Sequence, residues 1–246
     1  MTTATPTLVQ STGAQYTRIL AMGAARGERV VPNSEIIEPI NSSDEWIRQR
    51  TGVITRVRAN EDTSALDLAV DASREAIERS GIDPNRIGAV IVATISNEMQ
   101  TPSLAARLAD LVGATPAAAY DLNAACAGYC YAVAQADALV RTGVAEHVLV
   151  VGTEKLSDLI DPADRTISFL LGDGAGAAII GPSDSPGISK SSLGSDGSRW
   201  EAVSMNASLQ DYRQGGSEWP TLRQDGPSVF RWAVWDMAKV ARRALE

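Results

Sequence analysis

Few residues of this 246-residue chain could do chemistry, and the first is Cys126, in Asn123-Ala124-Ala125-Cys126-Ala127-Gly128-Tyr129. The preceding run, Ala117 to Leu122, is short and apolar enough for a buried strand, while Tyr131 to Val140 carry apolar side chains at helical spacing. Cys126 is therefore expected to top a strand and open a helix. Unpaired N–H groups and the dipole at a helix start favour an anion, and a thiolate is one. The small neighbours Ala124, Ala125, Ala127 and Gly128 leave room for an acyl group and for backbone donors to an oxyanion. A nucleophile fits this setting, and so does a small buried core cysteine.

Trp46 and Arg50 form a second candidate group. A helix is expected over Ser43 to Arg50, capped by Ser42 or Ser43, and it places the two on one face. A ring beside a guanidinium can sandwich a flat base and meet phosphates, as an adenine nucleotide such as coenzyme A presents them. A Trp simply packed under an Arg has the same spacing. His147, the only histidine, stands beside Glu146 at a strand edge. It is a possible base for Cys126, but a solvated or structural histidine is the stronger expectation there. Gly172-Asp173-Gly174-Ala175-Gly176 has the look of a dinucleotide fingerprint, yet a strand-like run follows it where that motif needs a helix. These glycines are read as allowing close backbone packing. Cys126 and Cys130 have no Cys or His partner at metal-ligand spacing, so no metal site is expected.

The elements that must position these residues alternate between strand and helix. A first strand is expected at Arg18 to Gly23. A helix follows from Ser64 to Ser80, capped by Ser64 with Asp67 three residues on and stopped by Gly81. Ile87 to Thr94 reads as a strand buried on both faces, as in a parallel sheet. A helix over Ser103 to Leu111 and a strand over Glu146 to Thr153 come next. From Pro182 to Gly197, Ser, Gly and Pro mark a connection, and Gln210 to Pro227 reads as a flexible loop or lid. Ser228 should open a last helix, Val229 to Leu245, whose apolar face needs something to pack on.

Composition sets the outer bounds. With 44% hydrophobic residues and a mean hydropathy of -0.07, the chain can bury a sizeable α/β core. A net charge of -8 argues against a broad nucleic-acid or membrane surface, so an anionic ligand must be met by local cations. No run is long and apolar enough to span a membrane. Met1 to Gln15 reads as a flexible extension with no signal-peptide pattern, and the sparse cysteines fit a reducing cytoplasm.

The order of residues around Cys126 resembles the nucleophile elbow of the ketoacyl-acyl carrier protein synthase III family, thiolase-fold enzymes that start fatty acid synthesis. Three further stretches resemble that family in the same order: Ser42 to Ile47 with Arg50-Thr51-Gly52-Val53, Val150-Val151-Gly152-Thr153-Glu154, and Gly172 to Ala177. The resemblance runs from about Tyr16 to Glu246. It implies a layered αβαβα fold with residues 16–182 as the N-terminal half, complete. Residues 183–246 would be the connection and the start of a C-terminal half that is cut short, roughly a hundred residues below the family's length.

The same resemblance implies that Cys126 takes an acyl group from an acyl coenzyme A primer. Malonyl-acyl carrier protein then condenses with that acyl group, losing carbon dioxide. Trp46, Arg50 and Arg165 would hold the coenzyme A, which is a substrate, and no cofactor is implied. Thr101, before Pro102, would close the primer pocket across a homodimer interface; being small, it implies room for a primer longer than acetyl. A His and an Asn for the malonyl step are implied past Glu246. Alternatives of the same fold are a polyketide starter-loading enzyme or an O-acyl transferase. An inactive truncated or partner subunit is a further alternative.

Overall fold

The computed structural model describes Leu8 and residues 10–246, so residues 1–7 and 9 of the expected N-terminal extension lie outside the described residues. The chain proceeds through β1 (Tyr16–Arg26), β2 (Arg29–Pro32), α1 (Asp44–Thr51), β3 (Thr55–Arg58), α2 (Ala65–Ser80), β4 (Ile87–Ala93) and α3 (Leu104–Leu111). It continues through β5 (Ala118–Leu122), α4 (Gly128–Arg141), β6 (His147–Lys155) and β7 (Asp173–Ser183). The last elements are β8 (Val203–Met205), α5 (Leu209–Arg213), β9 (Leu222–Gln224) and α6 (Gly226–Leu245).

Five strands form the main sheet in the order β1-β7-β6-β4-β5. Strands β5, β4 and β6 run parallel, whereas β7 is antiparallel to both β6 and β1. Alternate residues feed two cores. Val90, Val92, Leu149, Val151, Ala177 and Ile179 face α2 and α3, while Ala89, Ile91, Val148, Val150, Ala178 and Ile180 face α4. A strand covered on both faces must be apolar at every position, which is why Ala89 to Ala93 lack alternation.

Local signals set the helix ends as the sequence suggests. Ser43 caps α1, and Ser64 with Asp67 completes a reciprocal capping box on α2. Gly52 and Gly81 end these helices in left-handed conformation. Ser103 caps α3, and its start is also held by Asp121 of β5, whose carboxylate accepts from the Leu104 and Ala105 amides at 2.8 Å each.

Several expectations need correction. The first strand is far longer than Arg18 to Gly23, because it pairs with β7 along nearly its whole length. The strand before Cys126 is not buried; β5 is the edge of the sheet and its residues are half-buried or exposed. Gln210 to Pro227 is not a continuous loop, since it contains the end of α5 and all of β9, which pairs with β8. Asp225, not Ser228, caps α6, accepting from the Ser228 amide, with Pro227 in the first turn. Much of the apolar face expected on α6 is exposed, with Phe230 71% and Val234 and Met237 each 52% accessible.

Strand β1 lies so close to α2 that a Cβ on Gly23 would collide with the Ala72 carbonyl and the Ala76 amide. Both are helix backbone atoms and cannot swing aside. Gly23→Ala is expected to destabilise the protein by about 1–3 kcal/mol, read as a lower midpoint in urea denaturation.

Candidate active site

Strand register shows why distant segments meet. Leu122 of β5 is level with Ala93 of β4, Ala93 with Gly152 of β6, and Gly152 with Gly176 of β7. Beyond this level the chain leaves the sheet in three places, at residues 94–103 after β4, 123–127 after β5 and 156–172 after β6. These segments carry Thr101, Cys126 and Arg165. Because β1 runs parallel to β6, α1 with Trp46 and Arg50 also follows a strand leaving at this end. The carboxyl ends of parallel strands are where open α/β sheets bind ligands.

The turn around Cys126 differs in detail from a strand feeding directly into a helix. Ala125 to Ala127 form a single 3-10 turn, and α4 begins at Gly128, two residues past the cysteine. Ala125 has φ +45°, an uncommon conformation for a residue with a Cβ and a local store of strain. Gly128 lets the helix start sit against β4, where an added Cβ would lie 2.9 Å from the Ala93 Cβ. Among the described residues, α4 is the one α-helix whose start takes no side-chain cap. Its first amide is not free, however: the 3-10 turn runs straight into α4, with the Gly128 amide donating to the Ala125 carbonyl and the Ala127 amide to that of Ala124, and this turn takes no side-chain cap either. Cys126 and Cys130 are both free and exposed, so the buried-core alternative for Cys126 does not hold.

Trp46, Arg50 and Arg165 come together. The Arg50 guanidinium lies 5.1 Å and that of Arg165 4.7 Å from the Trp46 ring centroid. Phe169 meets the same ring edge-on at 5.4 Å. Thr101 is exposed, and among the described residues no hydrogen bond joins it to Cys126 or to this aromatic cluster. His147 is buried at 5% exposure, so it is not a solvated strand-edge residue. Burial lowers its pKa from the ordinary value despite neighbouring Glu146. It begins β6 five residues before Gly152, roughly 16 Å from the level of Leu122, which excludes it as a base for Cys126 in this fold.

The glycine run lies in and just ahead of β7. Gly172 and Gly174 approach the backbone of Val57 and Ala25, as expected, whereas Gly176 faces open space.

Two acids missed by sequence reasoning organise this end of the sheet. Asp173 accepts from the amides of Ala59 (2.8 Å) and Ser157 (2.9 Å) and from the Ser157 hydroxyl (2.6 Å), joining β3 to the segment after β6. Glu154 accepts from the Ile95 amide (3.0 Å) and the Ser96 hydroxyl (2.5 Å), anchoring the loop that carries Thr101. Their sequence signal is their place in two of the stretches that resemble the family, Glu154 closing Val150 to Glu154 and Asp173 standing between Gly172 and Gly174.

Comparison with known proteins is decisive. Residues 120–197 match the family described as 3-oxoacyl-[acyl-carrier-protein] synthase III. The beta-ketoacyl-[acyl-carrier-protein] synthase III of Kocuria rhizophila is 53% identical over 98% of this chain, which spans 74% of that protein. The chain belongs to the 3-oxoacyl-[acyl-carrier-protein] synthase III family. The synthase III of Tropheryma whipplei is 52% identical over 94% of this chain and 72% of its own length. Among solved structures, the priming beta-ketosynthase of the R1128 polyketide pathway superposes with a TM-score of 0.92 at 43% identity, covering 96% of this chain and 71% of its own. The synthase III of Pseudomonas aeruginosa gives 0.87 at 34% identity, covering 94% and 71%. The sheet and its helix layers are thus those of the thiolase fold, and this protein is a synthase III-type acyltransferase.

Burial raises the Glu154 pKa above its ordinary value of 4.5, against the lowering effect of its hydrogen bonds. The folded synthase therefore keeps a proton that the unfolded chain releases. That contribution to stability is complete below about pH 4.5 and is lost as pH rises through the folded pKa. Relative to Glu154→Gln, the melting temperature of the unsubstituted protein is expected to fall as pH is raised through this window. A difference independent of pH would contradict the assignment.

Proposed function

We propose that this protein starts fatty acid synthesis by joining an acyl coenzyme A primer to malonyl-acyl carrier protein, with Cys126 carrying the acyl group between them. The observation that carries this reading is the exposed Cys126 on a strained turn, ahead of a helix start that no side chain caps. In the first half-reaction the Cys126 thiolate attacks the thioester carbonyl. Charge develops on the carbonyl oxygen, where backbone donors of the turn around Cys126 would favour it, and collapse expels coenzyme A as its thiol. In the second, malonyl-acyl carrier protein loses carbon dioxide. Its carbanion attacks the acyl-Cys126 thioester, forming a carbon–carbon bond and freeing the cysteine.

Coenzyme A is placed by the aromatic cluster. The adenine would stack between Trp46 and Arg165, with Arg50 meeting phosphate, in keeping with the close approach of both guanidinium groups to the indole. These local cations answer the requirement set by a net charge of -8. Thr101 is proposed to border the primer pocket of a homodimer. For the malonyl step the resemblance calls on a His and an Asn, and among the described residues no histidine reaches this end of the sheet. A cytoplasmic location belongs to the same reading; among the described residues no helix is long and apolar enough to cross a membrane. A second reading, priming of a polyketide, is favoured by the structural likeness to the R1128 priming ketosynthase, and it uses the same Cys126 chemistry.

Incubation with acetyl coenzyme A is expected to add one acetyl group to the protein, seen by intact mass. Cys126→Ala should abolish the adduct and Cys130→Ala should retain it; an adduct surviving Cys126→Ala would refute the nucleophile. Trp46→Ala is expected to slow acylation by acetyl coenzyme A at least about tenfold relative to acylation by S-acetyl-N-acetylcysteamine, which has no nucleotide to stack.

A further inference from the structure

Arg56 is a charged residue that neither the acyl-transfer chemistry nor the coenzyme A contacts employ, and it is 6% exposed. Among the described residues no carboxylate pairs with it directly. A buried guanidinium without a counter-ion is costly unless its geometry accomplishes something. Its Nη1 donates to the Val31 carbonyl at 3.0 Å; its Nη2 donates to Asn33 Oδ1 at 2.5 Å and to the Phe169 carbonyl at 3.1 Å. Asn33 Nδ2 in turn donates to Asp44 Oδ1 at 2.7 Å and to the Val53 carbonyl at 2.9 Å.

The two ends of this chain are the two sides of the aromatic cluster. Asp44 opens α1, two residues before Trp46, and Val53 follows the end of that helix. Phe169 touches the Trp46 ring and lies four residues after Arg165. Arg58 reinforces the second side by donating to the Ser168 carbonyl at 3.2 Å. Nη2 alone meets both sides while Nη1 holds the Val31 carbonyl; a lysine is one bond shorter and brings a single nitrogen to these three acceptors.

We propose that Arg56 is a positioning residue for nucleotide recognition: through Asn33–Asp44 and the Phe169 carbonyl it sets the spacing between Trp46 and Arg165. The inference rests on the reading of Trp46 and Arg165 as coenzyme A contacts. The slot width between ring and guanidinium then depends on a residue that touches no substrate, so Arg56 affects how the nucleotide is held and not the reaction at Cys126.

The test measures acylation by acetyl coenzyme A and by S-acetyl-N-acetylcysteamine and takes the ratio of the two rates. Arg56→Met is expected to lower that ratio about tenfold. Arg56→Lys should recover thermal stability without recovering the ratio. Asp44→Ala, at a half-exposed position, cuts the same chain without opening the core and should lower the ratio in the same direction; it decides the matter should the Arg56 variants fail to fold. If Trp46→Ala lowers the ratio while folded Arg56→Met, or Asp44→Ala in its place, leaves it unchanged, the positioning role is overturned and the coenzyme A contacts stand. If Trp46→Ala also leaves it unchanged, the nucleotide contacts themselves fail and this inference with them.

Discussion

Strand β4 meets no water on either face from Ala89 to Ala93, and the rest of the molecule is arranged around that exclusion. Two helix layers must cover it, so α2 and α3 take one side and α4 the other. Its backbone groups must also be paired on both edges, which aligns β5 and β6 parallel to it and brings their carboxyl ends to one level. The convergence of Cys126, Thr101 and Arg165 on one end of the sheet is a consequence of this pairing. No local feature of the three connecting segments would have required it.

At that end, order and availability are set by opposite treatments of helix starts. Ser43, Ser64 and Ser103 satisfy the first amides of α1, α2 and α3, and Asp121 adds a carboxylate to α3. Each such cap is worth about 1 kcal/mol. The helix after Cys126 forgoes that stabilisation and adds strain at Ala125. The 3-10 turn that carries Cys126 into this helix takes no side-chain cap either, so no side chain stands between the cysteine and an incoming substrate's charge. Glu154 and Asp173, each holding two segments by short hydrogen bonds, keep the surroundings rigid while this turn remains strained.

Electrostatics follow the same division between surface and interior. The protein as a whole is acidic, yet Arg50 and Arg165 gather over one indole ring, and Arg56 and Arg58 lie behind them. Desolvation lowers the pKa of buried Arg56 and half-buried Arg58 from the ordinary value, with the Arg58 charge adding to the effect on Arg56 and the Arg29 charge to that on Arg58. Backbone carbonyls, not carboxylates, answer Arg56. Carbonyl dipoles leave the local field positive, which suits a ligand carrying phosphates.

The sequence by itself determined what depends on near neighbours along the chain. Ser64 with Asp67 and Gly81 marked both ends of α2, the unbroken apolar run at Ala89 to Ala93 marked a strand buried on both faces, and the spacing of Trp46 and Arg50 put them on one helix face. Turn and cap energies act over three or four residues, and periodicity reports burial directly. What lay beyond it was set by partners far away in sequence. Whether β5 is central or at the edge depends on which strands flank β4, and its own apolar residues are equally compatible with both. His147 looked available beside Glu146, but the register of β6 puts it at the wrong end of the sheet. Arg56 has no signal in its own stretch, because the groups that enclose it, Val31, Asn33 and Phe169, come from remote segments. Local chemistry is written in the order of residues, whereas level, edge and enclosure exist only once strands remote in sequence have paired.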